Sequence, residues 1–221
     1  MDKNNFSWLL LALLVFLFVV PIADDLSIVS VPIVRALAFS SLVLIGIWSL
    51  RGGGRAYALG LFFVIAALAA NVLAANLAAP IYLYASFASL FGFLLVAISY
   101  TLRQVARGTD INPNRLVGAV CVYLLLGVIW AVAYTGVEII TPGSFTGFVP
   151  MEGRGWDSEW LYFSFVTMTT LGYGDILPVS ATARVLAYFQ AVFGQFYIAI
   201  LVAGLVSGFI SDRQSKRDSD V

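Results

Sequence analysis

Histidine is absent from this chain, and cysteine occurs once, at Cys121. These absences exclude disulfide frameworks, Cys/His zinc sites, histidine acid–base chemistry and Cys–His nucleophiles together. Charge is scarce as well, at 11% of the 221 residues, with 12 basic and 12 acidic side chains. A soluble domain carries roughly a quarter charged residues, so too few are present to cover a wetted surface. With a formal net charge of zero and no basic run, nothing points to nucleic acid. The paired carboxylates Asp24 and Asp25 have no metal-ligand group beside them and read as a solvated turn. The chain is expected not to be an enzyme and to use no cofactor. Cys121 is expected to pack against a neighbouring helix.

What the chain has in abundance is apolar sequence, 61% of its residues. About 20 apolar residues cross some 30 Å of hydrocarbon, and uncharged runs of that length recur. The expected spans lie near 6–23, 28–50, 56–75, 80–102, 115–138 and 182–210. The first resembles a signal-peptide core, but its long apolar run and weakly basic start mark it as an uncleaved helix. Spans three and four come from one uncharged stretch, Ala56 to Leu102, with Asn71, Asn76 and Pro80 as the expected turn chemistry between them. With the amino terminus inside, the inner loops collect Arg51, Arg55, Arg103, Arg107 and Arg115, and the inner tails collect Lys3, Arg213, Lys216 and Arg217. Basic residues gather on the cytoplasmic side. The expectation is an all-α, multi-pass protein of the cell membrane, surrounded by its lipids, with both termini cytoplasmic. It divides into a four-helix bundle, 1–110, and a second unit, 111–221.

Between the fifth and sixth spans lies "TMTTLGYGDILP", residues 167–178, too polar to cross a bilayer. Ahead of it, "SEWLYFSFVTMTT" begins with Ser158 as the expected N-cap and Glu159 in the first turn. About 12 helical residues rise some 18 Å, half of what a crossing needs, so the chain must turn back. Non-helical backbone at membrane depth is tolerated only where protein buries it or where it lines water. Gly172 and Gly174 open conformations closed to residues bearing a β-carbon, which lets successive carbonyls point at one axis. Rings of carbonyls replace the hydration shell of a dehydrated cation, and the Thr170 hydroxyl adds one more ring. One chain supplies a quarter of each ring, so a homotetramer is expected. The preceding half-helix would aim its carbonyl pole at the space below.

The stretch "TMTTLGYGD" resembles the potassium channel family, differing from the family's usual form by Leu171 in place of Val. The likeness is to the six-transmembrane, single-pore-motif prokaryotic type without an arginine-rich voltage sensor. It implies that Thr170, Leu171, Gly172, Tyr173 and Gly174 form a selectivity filter. K+ would be held by the carbonyls of Thr170, Leu171, Gly172 and Tyr173 and by the Thr170 hydroxyl. Asp175 would sit at the outer mouth and Thr169 at the cavity end. The family often has two tryptophans behind the filter, where Tyr162 and Phe163 stand here. Phe163 cannot donate to Tyr173, which implies a looser or differently bonded cuff. Val166 occupies a place where some bacterial members carry a glutamate.

In the last span, Gly194 lies 19 residues after Asp175 and resembles the family's inner-helix hinge, with close packing as the alternative reading. Gly204 and Gly208 form a small-xxx-small pair suited to close helix crossing. Aligned on that resemblance, Gln195, Ile198, Val202, Val206 and Ile210 would point inward as a stripe at helical spacing, and Val206 with Ile210 would make an apolar constriction that closes by dewetting, with plain packing as the alternative reading. The fourth span carries no arginine at every third residue. Since one charge moved through 100 mV is worth about 2.3 kcal/mol, little voltage dependence is expected. Arg35, the one ionisable residue inside the first bundle, is either functional or held by backbone, Asn71, Asn76 or a lipid headgroup. The function expected is passive conduction of K+ down its gradient. The alternatives are a pore subunit of a potassium uptake system and a less selective cation channel. The opening stimulus, a regulatory subunit among the candidates, is left open.

Overall fold

The computed structural model describes residues 5–19, 21–22, 40, 43–77, 79–107, 113–147 and 156–219. Arg35 lies outside them, as do the side chains of Val202, Val206 and Ile210. Almost everything described is helical. Helix α1 (Asn5–Leu14) continues through a π-helical turn, Val15–Val19. Helix α2 (Val43–Gly52) ends in a 3-10 turn, Leu50–Gly52. Then follow α3 (Gly54–Leu77), α4 (Pro80–Arg107), α5 (Pro113–Ile140), the short α6 (Trp156–Met168) and the long α7 (Ala181–Ser219).

Four of the described helices, α3, α4, α5 and α7, are long and apolar enough to cross a membrane. The protein is a membrane protein. The first two expected spans correspond in the described residues to the shorter apolar helices Phe6–Val19 and Val43–Gly52.

Prolines set two of the boundaries. Pro80 and Pro113 are the first residues of α4 and α5, where a missing N–H costs nothing and the fixed φ suits the helix. Asn71 and Asn76, expected in the turn before Pro80, lie inside α3 instead. Their amide groups donate to the carbonyls of Ala67 and Val72, four residues back, at 2.9 and 2.7 Å. Helical backbone thus satisfies them without a turn. Asn71 also donates to the Ser86 hydroxyl at 2.7 Å, tying α3 to α4.

The main core joins α1, α2, α4 and α5 through Phe6, Leu9, Leu13, Leu50, Phe93, Leu94, Val122 and Leu125. Cys121 is fully buried there, its thiol against the Phe6 carbonyl of α1. A second cluster gathers Tyr134 of α5, Trp160 and Phe163 of α6, Phe145, Ile176 and Ala183. Its rings meet edge to face, with centroids 4.9 Å apart for both Tyr134–Phe163 and Phe145–Trp160, the arrangement that aromatic quadrupoles prefer.

A two-stranded antiparallel ladder, absent from the sequence expectation, joins β1 (Phe145–Thr146) to β2 (Leu177–Pro178). Its register pairs Thr146 with Leu177, and the Ser144 carbonyl extends it by accepting from Val179 at 2.8 Å. The chain between 147 and 176 therefore starts and finishes side by side. α6, at 13 residues, rises about 20 Å, and the return path brings the chain back to the ladder.

Candidate functional site

The residues that carry chemistry sit where α6 ends. α6 begins at Trp156, so Ser158 lies inside the first turn rather than ahead of it as the N-cap. At the other end, the Leu171 N–H reaches the Val166 carbonyl at 2.9 Å and the Thr170 N–H the Thr167 carbonyl at 3.0 Å. This pair of bonds is the Schellman termination, and it puts Thr170 in the left-handed position with φ +58°. Glycine normally takes that place. A β-branched residue there is strained by roughly 1–3 kcal/mol, and such strain concentrates at functional sites. Thr170 is the only non-glycine with positive φ among the described residues.

The next two positive values fall on Gly172 (φ +56°) and Gly174 (φ +80°). Positive φ thus alternates with the ordinary values of Leu171 and Tyr173. In a regular strand successive residues face opposite ways, whereas this alternation reverses every second turn of the backbone. All residues from Thr169 to Asp175 are exposed, Leu171 at 55% and Tyr173 at 67%. Among the described residues no group of three or more His, Cys, Asp and Glu side chains is placed to hold a metal. From Thr169 to Gly174 the segment carries only backbone and hydroxyl oxygens as groups a cation could use, and Asp175 adds a carboxylate at its end.

Tyr162 braces the segment from behind. Its hydroxyl donates to the Asp175 carboxylate at 2.5 Å, and its ring lies parallel to that of Tyr173, 7° off, with centroids 6.5 Å apart. Asp175 also accepts from the Ile176 N–H at 3.0 Å. The Tyr162 hydrogen bond, helped by that backbone bond, holds the Asp175 pKa below the ordinary carboxylate value against a smaller desolvation effect. The same bond first, then desolvation and the nearby negative charge, pushes the Tyr162 pKa up to about 12. Phe163 faces the other way, buried at 5% among Tyr134 and Phe145. Above the segment, Gly147 (φ +92°) passes so close to the Asp175 carbonyl that a β-carbon would overlap it.

Below it, α7 passes the end of α6. Gly194 is buried against Met168, and the exposed Gln195 reaches toward the Met168 carbonyl at 3.5 Å. Ile198, one turn on, is 37% exposed. Val202, Val206 and Ile210 follow on the same continuous helix.

Residues 118–210, which contain all of this apparatus, match a family model described as "Ion channel". Among curated proteins the chain is 35% identical over 107 residues to two pore potassium channel a of Oryza sativa subsp. japonica, covering 48% of this chain and 27% of that one. It is 34% identical over 92 residues to two pore potassium channel c of the same plant, 42% of this chain and 18% of the relative. It is also 29% identical over 91 residues to inward rectifier potassium channel Kirbac3.1 of Paramagnetospirillum magnetotacticum, 39% and 27% of the two chains. Over this segment the chain is similar to ion channels, and the curated proteins it matches are potassium channels. It spans at most 27% of the length of these three relatives. No solved structure matches it.

The sequence singled out residues 167–178 but not the contacts that surround them. The β1–β2 ladder, the crossing of Gly147 over Asp175 and the Tyr162–Asp175 bond had no periodic signal. Nor did a buried polar cluster of Tyr134, Ser164 and Gln190. A polar Gln in an otherwise apolar run, "VLAYFQAVFG", was the one available hint.

Proposed function

We propose that four copies of this chain surround one axis and form a K+-selective pore that conducts passively. Thr170, Leu171, Gly172, Tyr173 and Gly174 form the filter, with Asp175 at its outer mouth and Thr169 at its cavity end. The reading rests above all on the alternating positive φ at Thr170, Gly172 and Gly174. With every second peptide turned over, successive carbonyls can face one side and replace the water around a cation. The Thr170 hydroxyl adds a further oxygen.

Exposure supports assembly. Leu171 and Tyr173 stand open in a single chain, and so do Val185, Tyr188, Phe189, Val192, Phe196 and Ile200 of α7. Faces of this kind on a pore helix are covered by neighbouring copies and lipid. The carbonyl end of α6 adds a partial negative charge that favours a cation beneath the filter.

Around this pore we place six spans in the cell membrane with both termini cytoplasmic, residues 1–110 as a bundle and 111–221 as the pore unit. Gly194 serves the inner helix as hinge or packing point, Gln195, Ile198 and Val202 line the cavity, and Val206 with Ile210 narrows it. Without regularly spaced arginines in α4, the conductance–voltage relation corresponds to fewer than two gating charges per subunit. A steeper curve would contradict the bundle's assignment.

The deciding experiment is reconstitution of the purified chain in liposomes, with K+ or Na+ gradients, barium as blocker and chemical cross-linking. Barium-sensitive K+ flux from cross-linked tetramers is the expected result. Equal passage of Na+, or a chain that never cross-links beyond a monomer, would refute it.

A further inference from the structure

Three side chains, each 0% exposed, meet where α5, α6 and α7 come together: Tyr134, Ser164 and Gln190. The Gln190 amide nitrogen donates to the Ser164 hydroxyl at 2.8 Å and to the Ser164 carbonyl at 3.0 Å. Its amide oxygen accepts from the Tyr134 hydroxyl. The Ser164 hydroxyl in turn donates to the Gly127 carbonyl of α5 at 2.7 Å. Every polar atom of the cluster has a partner, and each of the three helices contributes at least one.

We infer that Gln190 is a positioning residue: through Ser164 and Tyr134 it sets the depth and rotation of α6, and thereby the place at which Thr170 and the filter carbonyls are presented. The inference rests on the proposed conduction path. Its physical ground is the nature of packing inside a bilayer. Apolar side chains gain little by choosing one another over lipid, so apolar contact lets helices slide and turn. Hydrogen bonds are directional, and a buried donor or acceptor left without a partner is penalised. α6 meets α5 through rings and aliphatic side chains, contacts that tolerate small shifts. The bonds of Gln190 and Ser164 do not. Ser164 lies six residues before Thr170, under two helical turns, so a rotation at Ser164 is carried through rigid helix into the first filter residue. Gln190 stands one turn before Gly194, whose contact with Met168 fixes the same helix end. The two attachments together hold α6 at two heights.

The test separates positioning from stability with three full-length variants in liposomes, each read for tetramer melting in detergent and for the K+/Na+ permeability ratio. Tyr134→Phe removes one bond and leaves a ring of the same shape. Gln190→Leu leaves three buried polar groups short of a partner. The triple variant Tyr134→Phe, Ser164→Ala, Gln190→Leu removes the polar groups together and restores apolar compatibility. The inference expects a lowered ratio in all three, at least tenfold in Gln190→Leu and in the triple variant, with melting recovered in the triple variant alone. Recovery of melting and ratio together would show that the cluster only stabilises, and would overturn it. An unchanged ratio in Tyr134→Phe and in every other variant that forms tetramers would overturn it as well. A wild-type chain that does not select K+ defeats the proposed function itself, before any variant is compared.

Discussion

A β-carbon built on Gly194 lies 2.6 Å from Met168 Cγ and 2.8 Å from the Met168 carbonyl oxygen. Both are well inside contact distance, so the inner helix approaches the end of α6 as closely as backbone allows. α7 runs through Gly194 as unbroken helix. In this conformation the glycine is required by packing, whatever bending it also permits.

Gly194→Ala separates the two demands. In an open helix alanine stabilises by up to about 1 kcal/mol relative to glycine. Against Met168 it overpacks, which typically costs about 1–3 kcal/mol. The thermal melt in detergent should therefore fall and, on the proposed function, K+ flux with it. A variant that melts higher than wild type would mean that Met168 yields freely and that packing does not explain the glycine.

The Tyr162–Asp175 pair has a defined pH window. The Asp175 pKa is depressed by its hydrogen bonds, so the contact is fully present above the ordinary carboxylate range and is lost as pH falls through the lowered value. The Tyr162 pKa is raised to about 12, so that side contributes below the ordinary phenol range and is lost as pH climbs through about 12. Across neutral pH the pair should not titrate. Tyr162→Phe should move the Asp175 titration back up toward an ordinary carboxylate, as followed by carbon NMR of a labelled side chain. An unmoved titration would show that Tyr162 is not the source of the depression.

Gly147 bears on Asp175 from the other side. Gly147→Ala places a β-carbon on the Asp175 carbonyl and forces a left-handed φ on an L-residue, the latter costing roughly 1–2 kcal/mol. Faster hydrogen exchange at Val179 N–H, whose bond to Ser144 extends the ladder, and a lower melt are expected. Wild-type exchange in this variant would mean that the strap over Asp175 does not hold the ladder.

At the other end of α7, Val206→Asp and Ile210→Asp test the proposed constriction. A carboxylate in an apolar narrowing draws in water and cations, so resting K+ flux should rise in one or both. Wild-type flux in both variants removes these residues as a gate.

Much of this was legible beforehand for identifiable reasons. Uncharged runs of crossing length predicted α3, α4, α5 and α7, because a bilayer leaves little other use for them. "TLGYG" marked the unusual backbone because two glycines at alternate positions announce it. Where chemistry is local, inference from neighbours in the chain also failed locally. Asn71 and Asn76 read as turn residues, yet each found its acceptor one helical turn back. Ser158 read as a cap, yet α6 had begun two residues before it.

The order of residues by itself determined that this chain lives in a membrane, where its long helices run and where two alternate glycines free the backbone between two of them. Those features depend on hydropathy and on φ preferences, which each residue carries with it. Tertiary structure alone decided that Tyr162 rather than Phe163 meets Asp175, that Gly147 crosses over it and that Gln190 finds Ser164 and Tyr134. Each of these joins groups 13 to 56 residues apart, and such pairings exist only once helices have taken their angles and depths. No periodicity encodes them, because they are properties of surfaces brought together and not of any one stretch of chain.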